Sequence, residues 1–337
     1  MRALTVAEPS RLELQERPDL AATEELALVA PRVVGVCGTD LDIIDGTIDP
    51  AFVSYPLVLG HEFAGTLISP TAELAPGTRV VVEGIVPCGV CAECLRGDTN
   101  RCAIYDEFGF IRDGAAADLL QAPPHLIHAL SEDVSWESAA LVEPAAVVWR
   151  ALTRAKPKAG ARVLVVGDGT VALLAGILVR QFKPAEVVML GARSDQAELA
   201  TAFGIDRFTT DAAAAGVGYD LVVEAAGAAA ATGAALAAPS RGGVVLLLGY
   251  PGAEQVDLPV DDLVNGDITI IGSFSYTRAA WREVVELLNS GALDLTGLVT
   301  HRFPLTSFED AVATLRHSSG PRGKILLDLQ TGRRGSR

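Results

Sequence analysis

Four cysteines within fifteen residues constrain the fold of this chain more than any other feature of its sequence. Cys88, Cys91, Cys94 and Cys102 are separated by two, two and seven residues. This spacing allows four thiolates to meet at one tetrahedral zinc ion, because each short step turns the chain back and the long step closes the loop. Two disulfides or four unrelated buried thiols are the alternatives. We expect a structural zinc, because the turn-forming, polar residues in between give the segment little apolar material with which to fold itself.

Composition limits the class of protein. The chain has 337 residues, 50% of them hydrophobic and 20% charged, which is typical of a compact globular protein with room for two domains. A formal net charge of -15 without clusters of Lys and Arg argues against a nucleic-acid partner. Residues 1–6 resemble the start of a strand and not a signal peptide, and the apolar stretch 163–179 contains Asp168 and three glycines. We therefore expect a cytoplasmic protein with no membrane partner.

The hydrophobic pattern changes along the chain. Up to about residue 146, short apolar runs broken by Gly, Pro and Asp predict a compact β-rich domain. A helical pattern covers 136–152, and from residue 161 fully apolar runs alternate with helical stretches. This alternation predicts βαβ units around a buried parallel sheet, so the fold class is α/β.

A glycine turn at residues 167–172 (Gly-Asp-Gly-Thr-Val-Ala) follows an apolar strand and opens a helix. It matches the dinucleotide fingerprint G-x-G-x-x-G/A, in which the first glycine makes a tight turn and the second lets the backbone approach a pyrophosphate. The helix N-terminus then faces the anion. The candidate cofactor-binding residues of this turn are Gly167, Gly169, Thr170, Val171 and Ala172.

The end of the next strand indicates which cofactor is bound. The strand at 187–190 runs into Arg193 and Ser194, so no carboxylate follows it directly to bind the ribose hydroxyls. Glu186 opens this strand and so lies at the wrong edge of the sheet. Arg193 can pair with a 2'-phosphate, which favours NADP(H) over NAD(H). The alternative is that Arg193 is an ordinary exposed arginine and Asp195 covers the ribose.

Cys37 and His61 lie in separate glycine-containing turns, outside the cysteine cluster. A thiolate and an imidazole are natural zinc ligands, and a catalytic zinc site needs three protein ligands and one open position. A lone Cys or His is more often structural. Their occurrence together with a zinc module and a nucleotide-binding half favours a second, catalytic zinc.

With these motifs the chain resembles the zinc-dependent medium-chain alcohol dehydrogenases over nearly its whole length. The motifs that carry the resemblance are Cys37-Gly38-Thr39-Asp40, Gly60-His61-Glu62 with Gly65, the four cysteines, Val142-Glu143-Pro144 and residues 167–172. The resemblance implies a GroES-like β-rich catalytic domain at 1–146 and 273–337, with a zinc lobe at about 87–103. It also implies a Rossmann NAD(P)-binding domain at 147–272, and a catalytic zinc on Cys37 and His61 in the cleft between the domains.

The remaining site residues follow from the same resemblance. Liver-type alcohol dehydrogenases have a cysteine where this chain has Glu143, whereas the polyol, threonine and sugar dehydrogenases have a glutamate there, and in them the glutamate after the histidine can bind zinc. Glu62 and Glu143 are therefore expected around the catalytic zinc, exchanging as ligand and water holder. Adjacent residues of an extended segment point to opposite sides, so His61 and Glu62 can both be ligands only if the backbone turns between them. Thr39 occupies the position that relays the alcohol proton.

The predicted function is a zinc-dependent oxidoreductase that transfers a hydride between a secondary alcohol (a sugar, polyol or cyclitol-like compound) and NADP(H). Its partners would be the alcohol or ketone substrate and further copies of the chain in a homodimer or homotetramer. The alternatives are an NAD-dependent threonine-type or simple alcohol dehydrogenase and a non-catalytic, zinc-stabilised nucleotide-binding relative. A zinc-free quinone reductase of the same superfamily is disfavoured by both metal motifs.

Overall fold

The computed structural model describes residues 1–252, 254–317 and 319–331, and the chain divides into two compact units. The first unit contains Met1–Glu143, Thr277–Ser318 and Lys324–Arg337, and the second contains Pro144–Tyr276 and Ser319–Gly323. No described helix is both long and apolar enough to cross a membrane.

The first unit is built around a mixed β-sheet with short helices at its edges. Its strands are β1 (Arg2–Glu8), β2 (Arg11–Glu16), β3 (Ala27–Val36), β4 (Leu57–Val58), β5 (Phe63–Leu67), β6 (Arg79–Val82), β7 (Leu120–Ala122) and β8 (Ile127–Ala129). Two later strands, β15 (Val299–Pro304) and β16 (Lys324–Asp328), join it. The main sheet has the order β15-β16-β3-β5-β6-β8, with β7 also paired to β3, and a smaller sheet has the order β2-β1-β4.

Apolar side chains at alternate positions of these strands form one core. Strand β3 is buried along most of its length because it pairs with β5 on one side and β16 on the other. Val34 and Ile325, which come from opposite ends of the sequence, pack in the same cluster as Phe63. The C-terminal strand β16 is therefore part of the same sheet as the N-terminal strands. The helices of this unit are α1 (Gly38–Asp45), α2 (Ala92–Leu95), α3 (Trp136–Ala140), α10 (Arg278–Asn289) and α11 (Phe308–His317).

The second unit is a parallel sheet covered by helices. Its strands are β9 (Arg162–Val166), β10 (Glu186–Leu190), β11 (Arg207–Thr209), β12 (Tyr219–Glu224), β13 (Pro239–Leu247) and β14 (Thr269–Gly272). Their order, β11-β10-β9-β12-β13-β14, is that of a doubly wound dinucleotide-binding domain. The helices are α5 (Thr170–Val179), α6 (Ala197–Ala202), α7 (Ala212–Ala215), α8 (Ala229–Ala237) and α9 (Val260–Gly266). The expected fold class, a GroES-like domain with a Rossmann domain, is confirmed.

The helical pattern predicted for 136–152 is two helices in the structure. Helix α3 begins after Ser135, whose side chain accepts a hydrogen bond from the Ser138 N–H at 3.0 Å. Leu141 then leaves the helical conformation, and α4 (Val142–Ala155) starts at the next residue. The chain's division between Glu143 and Pro144 falls in the first turn of α4. The position of Glu143 is thus set by the first turn of α4 and not by one continuous helix over 136–152.

Candidate functional site

Cys37 lies where β3 ends and α1 begins. Its backbone N–H donates to Asp40 Oδ2 at 2.8 Å, so the carboxylate of the helix's first turn caps the segment that carries the thiol. The hydroxyl oxygen of the half-buried Thr39 lies 3.8 Å from the Cys37 sulfur. Three chemical groups are therefore held at one helix start.

His61 and Glu62 form a bend before β5, and this bend brings both side chains to the same side. One potential ligand atom from each of Cys37, His61 and Glu62 lies within 4.8 Å of the others. The backbone turn that the sequence required for these adjacent residues is present. A thiolate, an imidazole and a carboxylate are the donor types of a zinc site.

The charges around His61 favour a cation. Its Nδ1 lies 3.4 Å from Asp40 Oδ1, so the carboxylate orients the ring with Nε2 left for a metal. Burial alone would lower the pKa of His61, but Asp40 and Cys37 raise it well above the usual value. The pocket thus stabilises positive charge, which a proton supplies on the free histidine and a bound zinc ion could supply instead. The donor set and this electrostatic preference both fit zinc.

Glu143 lies beside this group but is not a member of it among the described residues. Burial, with the nearby Glu62 carboxylate as the next cause, raises the pKa of Glu143 to about 8, while His61 acts in the opposite direction. A carboxyl with this pKa can hold or release a proton near neutral pH. The structure therefore distinguishes the two glutamates, with Glu62 in the potential ligand group and Glu143 next to it.

The cysteine lobe brings Cys88, Cys91, Cys94 and Cys102 together, with their sulfur atoms within 4.8 Å of one another. None of the four forms a disulfide. Backbone N–H groups of Ala103 and Cys94 lower the pKa of Cys91 to about 6, whereas burial raises the pKa of Cys94 to about 12. Four thiolates in this space need a cation to offset their mutual repulsion. The geometry fits a structural zinc.

The lobe is attached to the rest of its unit through α10. The Arg278 N–H donates to Thr99 Oγ1 in the lobe at 3.1 Å, and Arg278 Nε donates to the buried Glu83 carboxylate at 3.0 Å. His128 Nε2 lies 2.8 Å from the same carboxylate. Trp281, one turn further along α10, is 1% exposed and packs near the His128 ring.

The glycine turn joins β9 to α5 as the fingerprint predicts. Gly167 has a φ of 121°, and a Cβ atom there would lie 3.0 Å from the Ala225 backbone, so a side chain would be both strained and crowded. Gly169 precedes the first turn of α5, which begins at Thr170 and continues through Val171 and the buried Ala172. The N-terminus of α5 is thus positioned for an anion.

Arg193 and Ser194 lie where β10 ends, and Arg193 is held by Asp168 of the glycine turn. Arg193 Nη2 lies 2.8 Å from Asp168 Oδ1, and the Ala192 and Arg193 N–H groups donate to Asp168 Oδ2 at 2.8 Å each. Asp195 instead accepts a hydrogen bond from the Gly320 N–H at 2.9 Å. Glu186 pairs with Arg162 at the opening of β10. The Asp195 carboxylate, the alternative partner for the ribose hydroxyls, is therefore already engaged by the protein. Glu186 is remote from the end of the strand.

Comparison with known proteins agrees with this architecture. Residues 23–132 match the alcohol dehydrogenase GroES-like domain, and residues 136–318 match the glucose dehydrogenase C-terminus. The chain is 32% identical to an L-threonine 3-dehydrogenase of Saccharopolyspora erythraea, over 97% of this chain and 99% of that protein. The chain belongs to the zinc-dependent medium-chain alcohol dehydrogenases.

Other relatives place it in the polyol dehydrogenase branch of that family. A sorbitol dehydrogenase of Gallus gallus is 30% identical over 96% of this chain and 95% of its own length. The crystal structure of galactitol-1-phosphate dehydrogenase from Escherichia coli superposes with a TM-score of 0.85 at 27% identity, covering 97% of this chain and 100% of that one. The protein is accordingly an oxidoreductase of the alcohol dehydrogenase type with an NAD(P)-binding domain.

Four site residues were not singled out by the sequence analysis. Asp40 and Asp168 belong to recognised motifs, but only the structure shows that they bond to Cys37 and to Arg193. Glu107 is a buried carboxyl whose pKa is raised by burial, and its charge helps to raise the pKa of Glu143. Lys324 comes from the far end of the chain, and no local pattern links it to Glu62.

Proposed function

We propose that this protein oxidises a secondary alcohol bearing further hydroxyl groups (a sugar, polyol or cyclitol-like compound), or reduces the corresponding ketone, with NADP(H) as the hydride carrier. The observation that carries the proposal is the group formed by Cys37, His61 and Glu62, in a chain whose other unit presents a dinucleotide turn. The branch to which the relatives belong supports a polyhydroxylated substrate, since they include sorbitol, xylulose and arabinitol enzymes.

The site residues would have distinct roles in this reaction. Cys37, His61 and Glu62 would hold the catalytic zinc, with Asp40 against the Nδ1 side of the His61 ring. Bound zinc supplies Lewis acidity and the nicotinamide supplies hydride exchange. Thr39 receives the hydroxyl proton of the alcohol from its position beside Cys37. Glu143 holds a water or the substrate hydroxyl at the edge of the group, where its raised pKa suits proton exchange near neutral pH.

Metal analysis tests the zinc assignment. We expect two zinc ions per chain, with Cys37→Ser losing one together with turnover. Cys94→Ser should lose the other from the lobe and keep turnover, so the two variants are matched controls for each other. A chain that holds zinc in the lobe alone and turns over no alcohol would instead be a zinc-stabilised, non-catalytic relative.

The preference for NADP(H) rests on Arg193. The Asp168 carboxylate is already engaged by four N–H donors of the protein, so it is a poor acceptor for the ribose hydroxyls. Arg193 Nη1 is buried and has no hydrogen-bond partner within the described part of the chain, a donor that a bound 2'-phosphate would satisfy. The test compares turnover with NADP and with NAD in the wild type and in Arg193→Ala. We expect the ratio to fall at least ~10-fold in the variant, the effect of losing one charge-assisted contact, and an unchanged ratio would exclude this assignment.

L-threonine is the second candidate substrate, because the chain is 32% identical to a threonine dehydrogenase over nearly its full length. That alternative also makes NAD(H) the expected cofactor. A panel of polyols, simple secondary alcohols and L-threonine, followed by nicotinamide absorbance, distinguishes the candidates. Preferential oxidation of L-threonine with NAD would replace our proposal.

A further inference from the structure

A buried lysine contacts the carboxylate of the metal group. Lys324 opens β16, and its ammonium forms an ion pair with Glu62 Oε2, with the two side chains 3% and 2% exposed. Burial alone would lower the pKa of Lys324, but Glu62 and Cys37 raise it. Taking a lysine and a glutamate out of water is costly, and a salt bridge in the interior does not by itself repay that cost. The pair therefore calls for a role beyond stability.

The two oxygens of Glu62 have different surroundings. Oε2 contacts the ammonium of Lys324, whereas Oε1 lies 4.0 Å from His61 Nε2, on the side of the potential ligand group. One carboxylate thus lies between a fixed cation and the place suited to a metal. Because the ammonium occupies Oε2, only Oε1 of Glu62 remains for a metal. The ammonium also draws negative charge away from Oε1.

The neighbouring strand leaves room for this pair. A Cβ atom on Gly35 would lie 2.2 Å from Glu62 Oε2 and 2.7 Å from Lys324 Cε. Gly35 N–H also donates to the Glu62 carbonyl at 2.7 Å, which joins the strand to the bend at this point. A side chain at position 35 would therefore displace the ion pair from its present position.

We propose that Lys324 is a positioning residue that keeps Glu62 a one-oxygen, exchangeable ligand of the catalytic metal. The inference rests on the proposed zinc-dependent function. Lys324 and a divalent ion would share the Glu62 carboxylate, with the ammonium on Oε2 and the metal on the side of Oε1. Because Lys324 competes for Glu62, this ligand can leave the metal when substrate or Glu143 takes its place. Without Lys324, the zinc would be the nearest cation left to Glu62, and the carboxylate would bind it more firmly.

The test replaces Lys324 by methionine, which is of similar length and uncharged. We expect kcat to fall by about 10-fold, the size of effect seen for residues that orient metal ligands, and zinc release to a chelator to become slower than in the wild type. The visible spectrum of the cobalt-substituted enzyme should shift, because Glu62 binds differently. Lys324→Arg should restore much of kcat, and Lys158→Met, at an exposed lysine, should behave as wild type.

The outcomes separate this inference from the proposed function. A wild type without catalytic zinc or turnover overturns the proposed function itself. An active, zinc-loaded wild type with unchanged zinc release, spectrum and kcat in Lys324→Met overturns the role of Lys324, and so does faster zinc loss, which would mean that the lysine only supports the site. If Lys324→Met does not fold, Gly35→Ala displaces the same pair without removing a charge. A cobalt spectrum unchanged in that folded variant also contradicts the inference.

Discussion

At the scale of single residues, the site depends on carboxylates that bond to the candidate ligands as much as on the ligands themselves. Asp40 contacts both the Cys37 backbone and the His61 ring, and Asp168 has the same relation to Arg193 in the cofactor turn. Such partners fix the orientation of the groups that bind metal or cofactor. Each of them can therefore be removed while the direct ligand stays in place.

Asp40→Asn should weaken binding of the catalytic zinc by about 10- to 100-fold, because the amide keeps the shape of the side chain but not the charge that orients His61. Competition with a chromogenic chelator measures the affinity. Asp42→Asn is the matched control, since it changes an exposed carboxylate of the same helix. Equal zinc affinities in the two variants would show that Asp40 does not support the metal site.

At the scale of elements, polar side chains fix the positions of short helices. Asp294 follows α10 and accepts hydrogen bonds from the Thr296 hydroxyl at 2.6 Å, the Thr296 N–H at 3.0 Å and the Ser138 hydroxyl in α3 at 3.0 Å. The Thr296 bonds are the main reason that the pKa of Asp294 is lowered, with Ser138 contributing less. One carboxylate thus connects the end of α10 to the helix that precedes Glu143.

This connection gives a pH-dependent stability. The pKa of Asp294 is lower in the folded chain than in the unfolded one, so its contribution is complete above the unfolded value of about 3.9 and is lost as pH falls through the folded value. Asp294→Asn should therefore lower the unfolding free energy at pH 7, by no more than about 1 kcal/mol for this exposed group. The difference from wild type should shrink below about pH 4. Thermal melts from pH 7 to pH 3 measure it, with Asp133→Asn as the exposed control, and a difference that stays constant with pH would show that the Asp294 charge is not its cause.

At the scale of the whole molecule, the parallel sheet of the second unit ends in an accessible strand. β14 is the last strand of that sheet, and Ile270 on it is 37% exposed. Helix α9, which packs against the adjacent β13, exposes Val264 to 73%. An unprotected edge strand beside exposed apolar side chains is a surface on which another chain can pair.

We expect this surface to join copies of the chain into a homodimer or homotetramer. Val264→Asp should reduce the measured mass, because it places a charge in the apolar contact. Light scattering during gel filtration determines the mass. Val217→Asp serves as the control, since Val217 is 68% exposed in the same unit but lies outside this surface. A monomeric wild type, or equal masses for both variants, would contradict the expectation.

The fold class was predictable from the sequence because its signals are local, and so was the grouping of the cysteines and of the glycine turn. The cysteine spacing, the glycine turn and the alternation of apolar runs each arise within a short segment, and the structure shows the corresponding lobe, turn and strand order. The partners of the candidate ligands were not predictable in this way. Lys324 reaches Glu62 only because β16 pairs with β3, and a pairing between the two ends of the chain leaves no periodic signal. Asp168 belongs to the glycine-turn motif, but its hydrogen bonds to residues 192 and 193 depend on the backbone conformation of the turn.

The attachment of the lobe to α10 also gives the protein an internal optical probe. Trp281 lies on the same helix as Arg278, whose backbone N–H joins that helix to Thr99 of the cysteine lobe. The indole ring is 1% exposed, and its emission depends on the polarity of its surroundings. Loss of a zinc ion from the lobe would then change the wavelength and intensity of tryptophan fluorescence, without any added label.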